Sequence, residues 1–213
     1  MAIAKRLRIV LVASLSVTVL VAQSSRIDFE GDEVGKAPKE FSFALTGQGT
    51  PGVWIVKKDD LTHGNVLVQT DGDTTDYRFP VAVYNDFAGT DVTLSVAFKA
   101  ISGKGDQGAG LVWRYRDANN YYVTRCNALE DNCTIYHVVN GRRQAFQNKG
   151  VKVTSNVWHT FRVDAIGDHF VVTYDGNQVL DAKDATFKDG GKVGLWTKAD
   201  SVMAFDDLSV SGH

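Results

Sequence analysis

Residues 110–141 read GLVWRYRDANNYYVTRCNALEDNCTIYHVVNG. Leu111 to Arg116 and Tyr121 to Asn127 each alternate at period two, and the polar tetrapeptide Asp117-Ala118-Asn119-Asn120 separates them. That is the pattern of a β-hairpin with a short turn. Closed there, the hairpin sets Arg116 opposite Tyr121, Arg114 opposite Val123 and Val112 opposite Arg125. Leu111, Trp113, Tyr115, Tyr122, Thr124 and Cys126 then share one largely apolar face. The opposite face carries Arg114, Arg116, Arg125 and Tyr121. Such a face is either a recognition surface or a solvated one.

A second hairpin follows if Asn127 to Asn132 is its connection. Cys126 then faces Cys133, and a cross-strand disulfide is geometrically open to them. Two buried thiols, packed as small hydrophobes, are the alternative. The same register puts Thr134 and Tyr136 beside Arg125 and Val123. The arginine face thus gains Asn127 and Tyr136, while His137 falls on the apolar face as a core histidine.

The chain begins differently. Lys5, Arg6 and Arg8 precede an uncharged apolar run from Ile9 to Ala22, followed by Gln23-Ser24-Ser25. That order reads as a secretory signal peptide over residues 1–25. The run is shorter than the roughly 20 residues of a bilayer span. Residues 26–213 remain, about 190 residues, enough for one well-buried domain. Export permits oxidation of the two cysteines. The formal net charge of −2 gives no electrostatic reason to expect nucleic acid or an anionic membrane as partner. No coiled-coil heptad, solenoid repeat or linker interrupts the chain, and the expectation is a monomer.

Period-two alternation recurs elsewhere. Val92, Leu94, Val96 and Phe98 alternate with Thr93, Ser95, Ala97 and Lys99; Phe161, Val163 and Ala165 alternate with polar neighbours. Phe170, Val172 and Tyr174 run into Asp175-Gly176-Asn177, a strong hairpin turn. Shorter strands are expected over 53–57, 65–70, 81–84, 192–198 and 202–210. No window has helical periodicity. Many short strands between turn clusters imply an all-β fold, a two-sheet antiparallel jelly-roll sandwich.

The order of motifs adds a resemblance. Gly110-Leu-Val-Trp-Arg-Tyr-Arg-Asp-Ala-Asn-Asn-Tyr-Tyr is followed by Val157-Trp-His-Thr-Phe-Arg-Val and Tyr174-Asp-Gly-Asn. Gly191-Lys-Val-Gly-Leu-Trp and Phe205-Asp-Asp-Leu-Ser-Val close the series. The set resembles the concanavalin A-like lectin/glucanase superfamily. It is most similar to laminin-G-like bacterial secreted domains, which stand beside the 3-keto-disaccharide hydrolase-like and laminarinase-like families. The resemblance implies a concanavalin A-like jelly roll. It leaves activity open, because this fold hosts lectins, adhesion modules, lyases and hydrolases.

A laminarinase-type hydrolase of this superfamily needs carboxylates at alternate positions of one strand, as Glu-x-Asp-x-Glu. That pattern is absent. Glu130-Asp131 is consecutive and lies in a loop, so no catalytic residue is assigned. The five histidines, His63, His137, His159, His169 and His213, lack metal-ligand spacing. Asp71-Gly72-Asp73-Thr74-Thr75-Asp76 lacks the spacing of an EF-hand and reads as an acidic turn.

Sugars present apolar ring faces and hydroxyls, which aromatic rings and planar polar groups recognise. The candidate ligand residues are therefore Arg114, Tyr121, Arg125, Asn127, Glu130 and Tyr136, with Trp196 and Lys198, which point outward if Leu195 is core. Three arginines also suit an acidic polysaccharide. The resemblance further implies a structural Ca2+ bound by an acidic residue of the last strand. Asp206 matches that position, on the inward face of Leu208 and Val210, with Glu30 or Asp28 to complete the site. The expectation is a secreted, lectin-like module for a poly- or oligosaccharide. The alternatives are a glycan-active hydrolase related to the 3-keto-disaccharide hydrolases and a non-catalytic cell-envelope interaction module.

Overall fold

The computed structural model describes residues 24–59 and 62–213, so the expected signal peptide lies almost wholly outside the described residues. Only Ser24 and Ser25 of that segment are described, and they already belong to the first strand. The elements are β1 (Ser24–Ile27), β2 (Phe41–Gly47), β3 (Trp54–Lys58), β4 (Asn65–Gln69), β5 (Arg78–Gly89), β6 (Val92–Ser102), β7 (Gly108–Asp117) and β8 (Asn120–Asn127). They continue with β9 (Asn132–Val139), β10 (Arg142–Gly150), β11 (Trp158–Ile166), β12 (His169–Tyr174), β13 (Asn177–Lys183), β14 (Gly191–Thr197) and β15 (Val202–Gly212). No helix occurs among the described residues.

All pairings are antiparallel. One sheet runs β13-β12-β11-β6-β15-β4-β3, with β1 also paired to β15; the other runs β10-β9-β8-β7-β14-β5-β2. Their facing sides form the main core. Val92, Leu94, Val96 and Phe98 enter it from β6, Leu111 and Trp113 from β7, and Leu195 from β14. The two-sheet sandwich read from the alternation is thus the observed fold.

The expected turns close as read. Asp175 and Gly176 both have positive φ, 46° and 75°, and join Tyr174 to its partner Asn177. That is the two-residue turn a right-twisted hairpin favours. Cys126 pairs with Cys133 in the β8–β9 ladder and the two form a disulfide. Val123 pairs with Tyr136 and Arg125 with Thr134, as the register required. The acidic turn clamps a buried cation: Asp71 Oδ2 lies 2.9 Å from Arg78 Nη2, and Arg78 is fully buried.

The first hairpin departs from its expected register. Val112 pairs with Val123 and Gly110 with Arg125, not Arg114 with Val123 and Val112 with Arg125. Near the turn, Asp117 still pairs with Asn120. Between them the ladder is broken by a bulge from Trp113 to Asp117, where Arg114 has φ of 49°. A bulge reverses the faces of the residues beyond it. Tyr115 therefore packs on Tyr121, at 5.8 Å between ring centroids, instead of facing the main core. Arg114 turns the other way and is buried. Its Nε donates to Thr90 O at 3.0 Å, Nη1 to Phe187 O at 2.6 Å and Nη2 to Gly167 O at 2.5 Å. It is an anchor for three loops, not part of a ligand face.

Strands β1, β2 and β10 were not anticipated. Strand β10 (RRQAFQNKG) is mostly polar and largely exposed, as an edge strand can be. Its sequence lacks the alternation of a half-buried strand.

Replacing Arg114 by Ala strands three carbonyls that the guanidinium now satisfies, each worth about 1 kcal/mol or more when buried. Arg114→Ala is expected to lower the unfolding free energy by about 3 kcal/mol in urea titration. Arg116→Ala, which breaks a surface pair with Asp189, should cost less than about 1 kcal/mol. Equal effects would contradict the anchor role.

Candidate functional site

The outer face of the seven-stranded sheet is also apolar. Phe79, Val81, Val83, Val112, Tyr121, Val123, Tyr136, Val138 and Trp196 form a second buried cluster there. In a flat sheet β2 and β8 would stand about 19 Å apart, four strand spacings. Yet Thr46 Oγ1 of β2 lies 2.7 Å from Tyr121 Oη of β8. Likewise Tyr77 Oη donates to Gly141 O at 3.1 Å and accepts from Arg143 N at 2.8 Å. The sheet is curled into a trough. The guanidinium of Arg143 lies across it, with Cζ 4.4 Å from the ring centroid of Tyr136, 4.5 Å from Phe79 and 5.5 Å from Trp196.

The alternation placed Leu195 in the core and Trp196 on the opposite face correctly. Trp196, however, is 0% exposed and is no open stacking platform. Its indole lies over Gly110, where an added Cβ would sit 3.2 Å from two Trp196 atoms. Tyr121 and Tyr136 are buried with it. The aromatic residues expected to meet a ligand are thus the body of the trough.

At the end of the trough near Arg125 the side chains are polar. Arg125 is 3% exposed, and its Nη1 donates to Asn132 Oδ1 and its Nη2 to Glu130 Oε2, both at 2.5 Å. Asn127 donates to Asp106 Oδ1 at 2.5 Å, and its own Oδ1 accepts from the backbone of Leu129 and Glu130. Lys198 Nζ lies 2.5 Å from Asp106 Oδ2. So Arg125, Asn127, Glu130 and Lys198 are brought together, and Arg114 is not among them. Sequence reasoning missed Asp106 and Asn132. Asp106 sits in a glycine-rich turn and is pulled inward by Asp200, whose carboxylate accepts the backbone N–H groups of Lys104, Gly105 and Asp106.

The two carboxylates of this cluster are driven apart. Burial raises Asp106 above the usual carboxylate range, against the opposing pull of Lys198 and Arg125. Burial also acts to raise Glu130, but Arg125 and Asn132 outweigh it and hold Glu130 below its usual range. The outer rim is Glu130, with its side chain 39% exposed, beside Asn132 and Leu129.

The expected Ca2+ residues fall elsewhere. Asp207 has φ of 53° and the β15–β6 ladder shifts between Asp206 and Ser209. Leu208 and Val210 therefore share the core face with Phe205, and Asp206 lies outside it. Asp206 Oδ2 is 2.7 Å from His63 Nδ1. Glu30 instead accepts from Asn65 N, and Asp28 from Glu30 N. Among the described residues, the ligand atoms that converge are those of His63, Asp206 and Asp207, and Arg26 already occupies Asp207. A histidine nitrogen and two engaged carboxylates do not fit a cation that takes six to eight oxygens.

A family model of the 3-keto-alpha-glucoside-1,2-lyase-like domain matches residues 43–211. The chain belongs to this family. No curated protein matches the sequence. Among solved structures, the lyase-like domain is similar to the carbohydrate-binding module CBM66 from Bacillus subtilis, with 23% identity and a TM-score of 0.61. That match covers 80% of this chain and 95% of the module. It is also similar to the Ca2+- and mannose-bound exoplasmic/lumenal domain of VIP36, at 12% identity, TM-score 0.59 and 88% of each chain. A third likeness is a glycosyl hydrolase from Parabacteroides distasonis, described as putative, at 17% identity and TM-score 0.51, covering 78% and 93%. At these identities the likenesses establish the concanavalin A-like sandwich.

Two measurements follow. Chelator is expected to leave the melting temperature unchanged; a fall would restore a structural cation. Glu130 has a lowered folded-state pKa, so its charge stabilises the fold above the unfolded value of about 4.3. That contribution is lost as pH falls through the folded value. Glu130→Gln should therefore cost up to about 1 kcal/mol at neutral pH, given its exposure, and less at a pH below the folded value. Urea midpoints at the two pH values check this. A pH-independent cost would mean the Arg125 pair acts through packing alone.

Proposed function

We propose that this lyase-like domain is an exported carbohydrate-binding module that recognises a poly- or oligosaccharide at the rim formed by Leu129, Glu130, Asn132 and Lys198. The observation that carries the reading is Arg125. A buried guanidinium holds a carboxylate and a carboxamide in fixed orientation at an open edge. Such planar groups suit the vicinal hydroxyls of a sugar, and fixing them before binding removes part of the entropic cost. The exposed Leu129 offers a surface to a ring's C–H face. Arg125, Asn127 and Asp106 act from behind as positioning residues, and Tyr121, Tyr136 and Trp196 shape the floor. The solved neighbours described as a carbohydrate-binding module and a mannose-bound domain support the same reading.

Export is supported by the basic and apolar opening of the chain and by the disulfide. No helix among the described residues is long and apolar enough to cross a membrane. The reading takes the domain to act as a single unit over residues 26–213, as a monomer with one glycan partner.

A second reading is favoured by the Asp106–Glu130 pair. A carboxyl pushed up by burial beside one held down by an arginine is the kind of divergence that separates an acid from a base. Family membership supports a glycan-active enzyme on these grounds, with Asp106 as acid and Glu130 as base.

One experiment separates them. The purified protein is incubated with neutral and acidic polysaccharides and with 3-keto-disaccharides, and retention and products are followed by mass spectrometry. Retention without products, reduced at least tenfold by Glu130→Ala or Asn132→Ala in a folded variant, is the expected outcome. Products abolished by Asp106→Asn would establish the enzyme instead. Neither retention nor products would defeat both readings and leave an envelope interaction module.

A further inference from the structure

The loops at the other end of the sandwich enclose a pocket of about 300 Å3. Arg114 and Phe187, both buried, form its floor. Its rim is exposed and comes from three connections. Thr90 belongs to the β5–β6 turn, Gly167 and Asp168 to the β11–β12 turn, and Ala185 and Lys188 to the β13–β14 connection. The volume is at the lower end for small-molecule sites, room for one sugar residue and not for a chain. Arg114 lies toward the β7–β8 turn, whereas Glu130 lies in the β8–β9 turn. The eight residues of β8 between those turns span roughly 25 Å, so the pocket is remote from the Glu130 rim.

The walls are fixed and the rim is unspent. One guanidinium ties all three connections, because Arg114 donates to Thr90 O, Gly167 O and Phe187 O. Further bonds interlock them. Gly167 N donates to Asp91 Oδ1 at 2.9 Å, Asp184 N to Asp168 O at 2.9 Å and Phe187 N to Tyr122 Oη at 3.0 Å. Walls set before a ligand arrives remove part of the ordering cost of binding. By contrast, the side chains of Thr90, Asp168 and Lys188 have no hydrogen bond or ion pair among the described residues. The charges also balance. Arg114 has Asp91 at 3.6 Å, and Arg116 has Asp189 at 3.0 Å. One ammonium and one carboxylate are left on the rim, which suits a neutral ligand that both donates and accepts.

We propose that this pocket is a second sugar-binding site, taking a single neutral sugar residue at the end of a chain or branch. The Lys188 ammonium donates to its hydroxyls, the Asp168 carboxylate accepts from them, and the Thr90 hydroxyl can do either. Ala185 and Phe187 meet its C–H groups. The proposal rests on the carbohydrate-binding reading and adds a second point of attachment to the Glu130 rim. Two sites on one domain raise the avidity for a polymer above the affinity of either.

The test titrates the 15N-labelled protein with the methyl glycosides of glucose, galactose, mannose and fructose and follows its backbone amides by NMR. At least one glycoside is expected to shift Gly167, Asp168 and Lys188 saturably, with an affinity that does not change as salt is raised. Asp168→Ala and Lys188→Ala, both at exposed turn positions, should each weaken that binding about fivefold, the worth of one hydrogen bond. Glu130→Ala should leave it unchanged. Shifts confined to Leu129, Glu130 and Asn132 would overturn the second site while leaving the carbohydrate-binding reading standing. Shifts at the pocket that survive both Asp168→Ala and Lys188→Ala would also overturn it. No shift at the pocket with any of the four glycosides, while a polysaccharide of the panel is retained through Glu130, would sink the second site alone.

Discussion

The architecture depends on one constraint: the seven-stranded sheet is apolar on both faces. Strand β7 is buried continuously from Gly108 to Arg114, and β8 from Tyr121 to Asn127. The eight-stranded sheet covers one face. The other must be covered by the sheet itself, because leaving Phe79, Trp196, Tyr121 and Tyr136 in water would forgo roughly 1.5–3 kcal/mol for each large side chain. Curling does this. It brings β2 to β8 and the loop before β5 to the β9–β10 turn, contacts a flat sheet could not make. Glycine at 110 is part of the same solution, since a side chain there would displace the indole that seals the floor.

Curling also sets where polar groups can go. The trough is lined mainly by rings and branched aliphatics, with Thr46 and Arg143 reaching across it, and the clusters of hydrogen-bonding side chains collect toward its ends. At one end Arg125 ties Glu130 and Asn132 together. Toward the other, Arg143 is stacked without a counter-ion. The difference between these arginines is chemically informative. Arg125 is compensated within the chain and acts on its neighbours. Arg143 has no carboxylate partner and is held by ring faces instead.

Much of this was legible in the residues, and the limits have a physical cause. Turn chemistry fixed the second hairpin, and with it the disulfide and the placing of Thr134 and Tyr136 beside Arg125 and Val123. Alternation placed Leu195 inward and Trp196 opposite. Both failures of face assignment occur at bulges on non-glycine residues, Arg114 with φ of 49° and Asp207 with φ of 53°. A bulge at glycine leaves a mark in the sequence; one at Arg or Asp leaves none, and every side chain beyond it changes side. Arg114 thus moved from expected ligand group to buried anchor, and Asp206 from core-facing metal ligand to partner of His63. Exposure was the other blind spot. Period two says which face Trp196 occupies but cannot say that the sheet will fold over it.

The acidic pair at this end of the trough illustrates a third limit. A pattern search for paired carboxylates assumes that both lie on one strand, where alternation aligns them. Here Glu130 comes from a hairpin turn and Asp106 from a loop that Asp200 folds inward through three backbone N–H groups. Asn127 then joins the two segments, accepting from the backbone of one and donating to the carboxylate of the other. The pair exists only because loops from three parts of the chain meet at the end of the trough. Its opposite shifts arise from that meeting: Asp106 is buried by the loop it belongs to, while Glu130 stays at the surface within reach of a buried arginine. A turn carboxylate is thereby held below its usual range while its buried neighbour is pushed up. Glu130 is lowered because a neighbouring strand carries a guanidinium inward that can reach it.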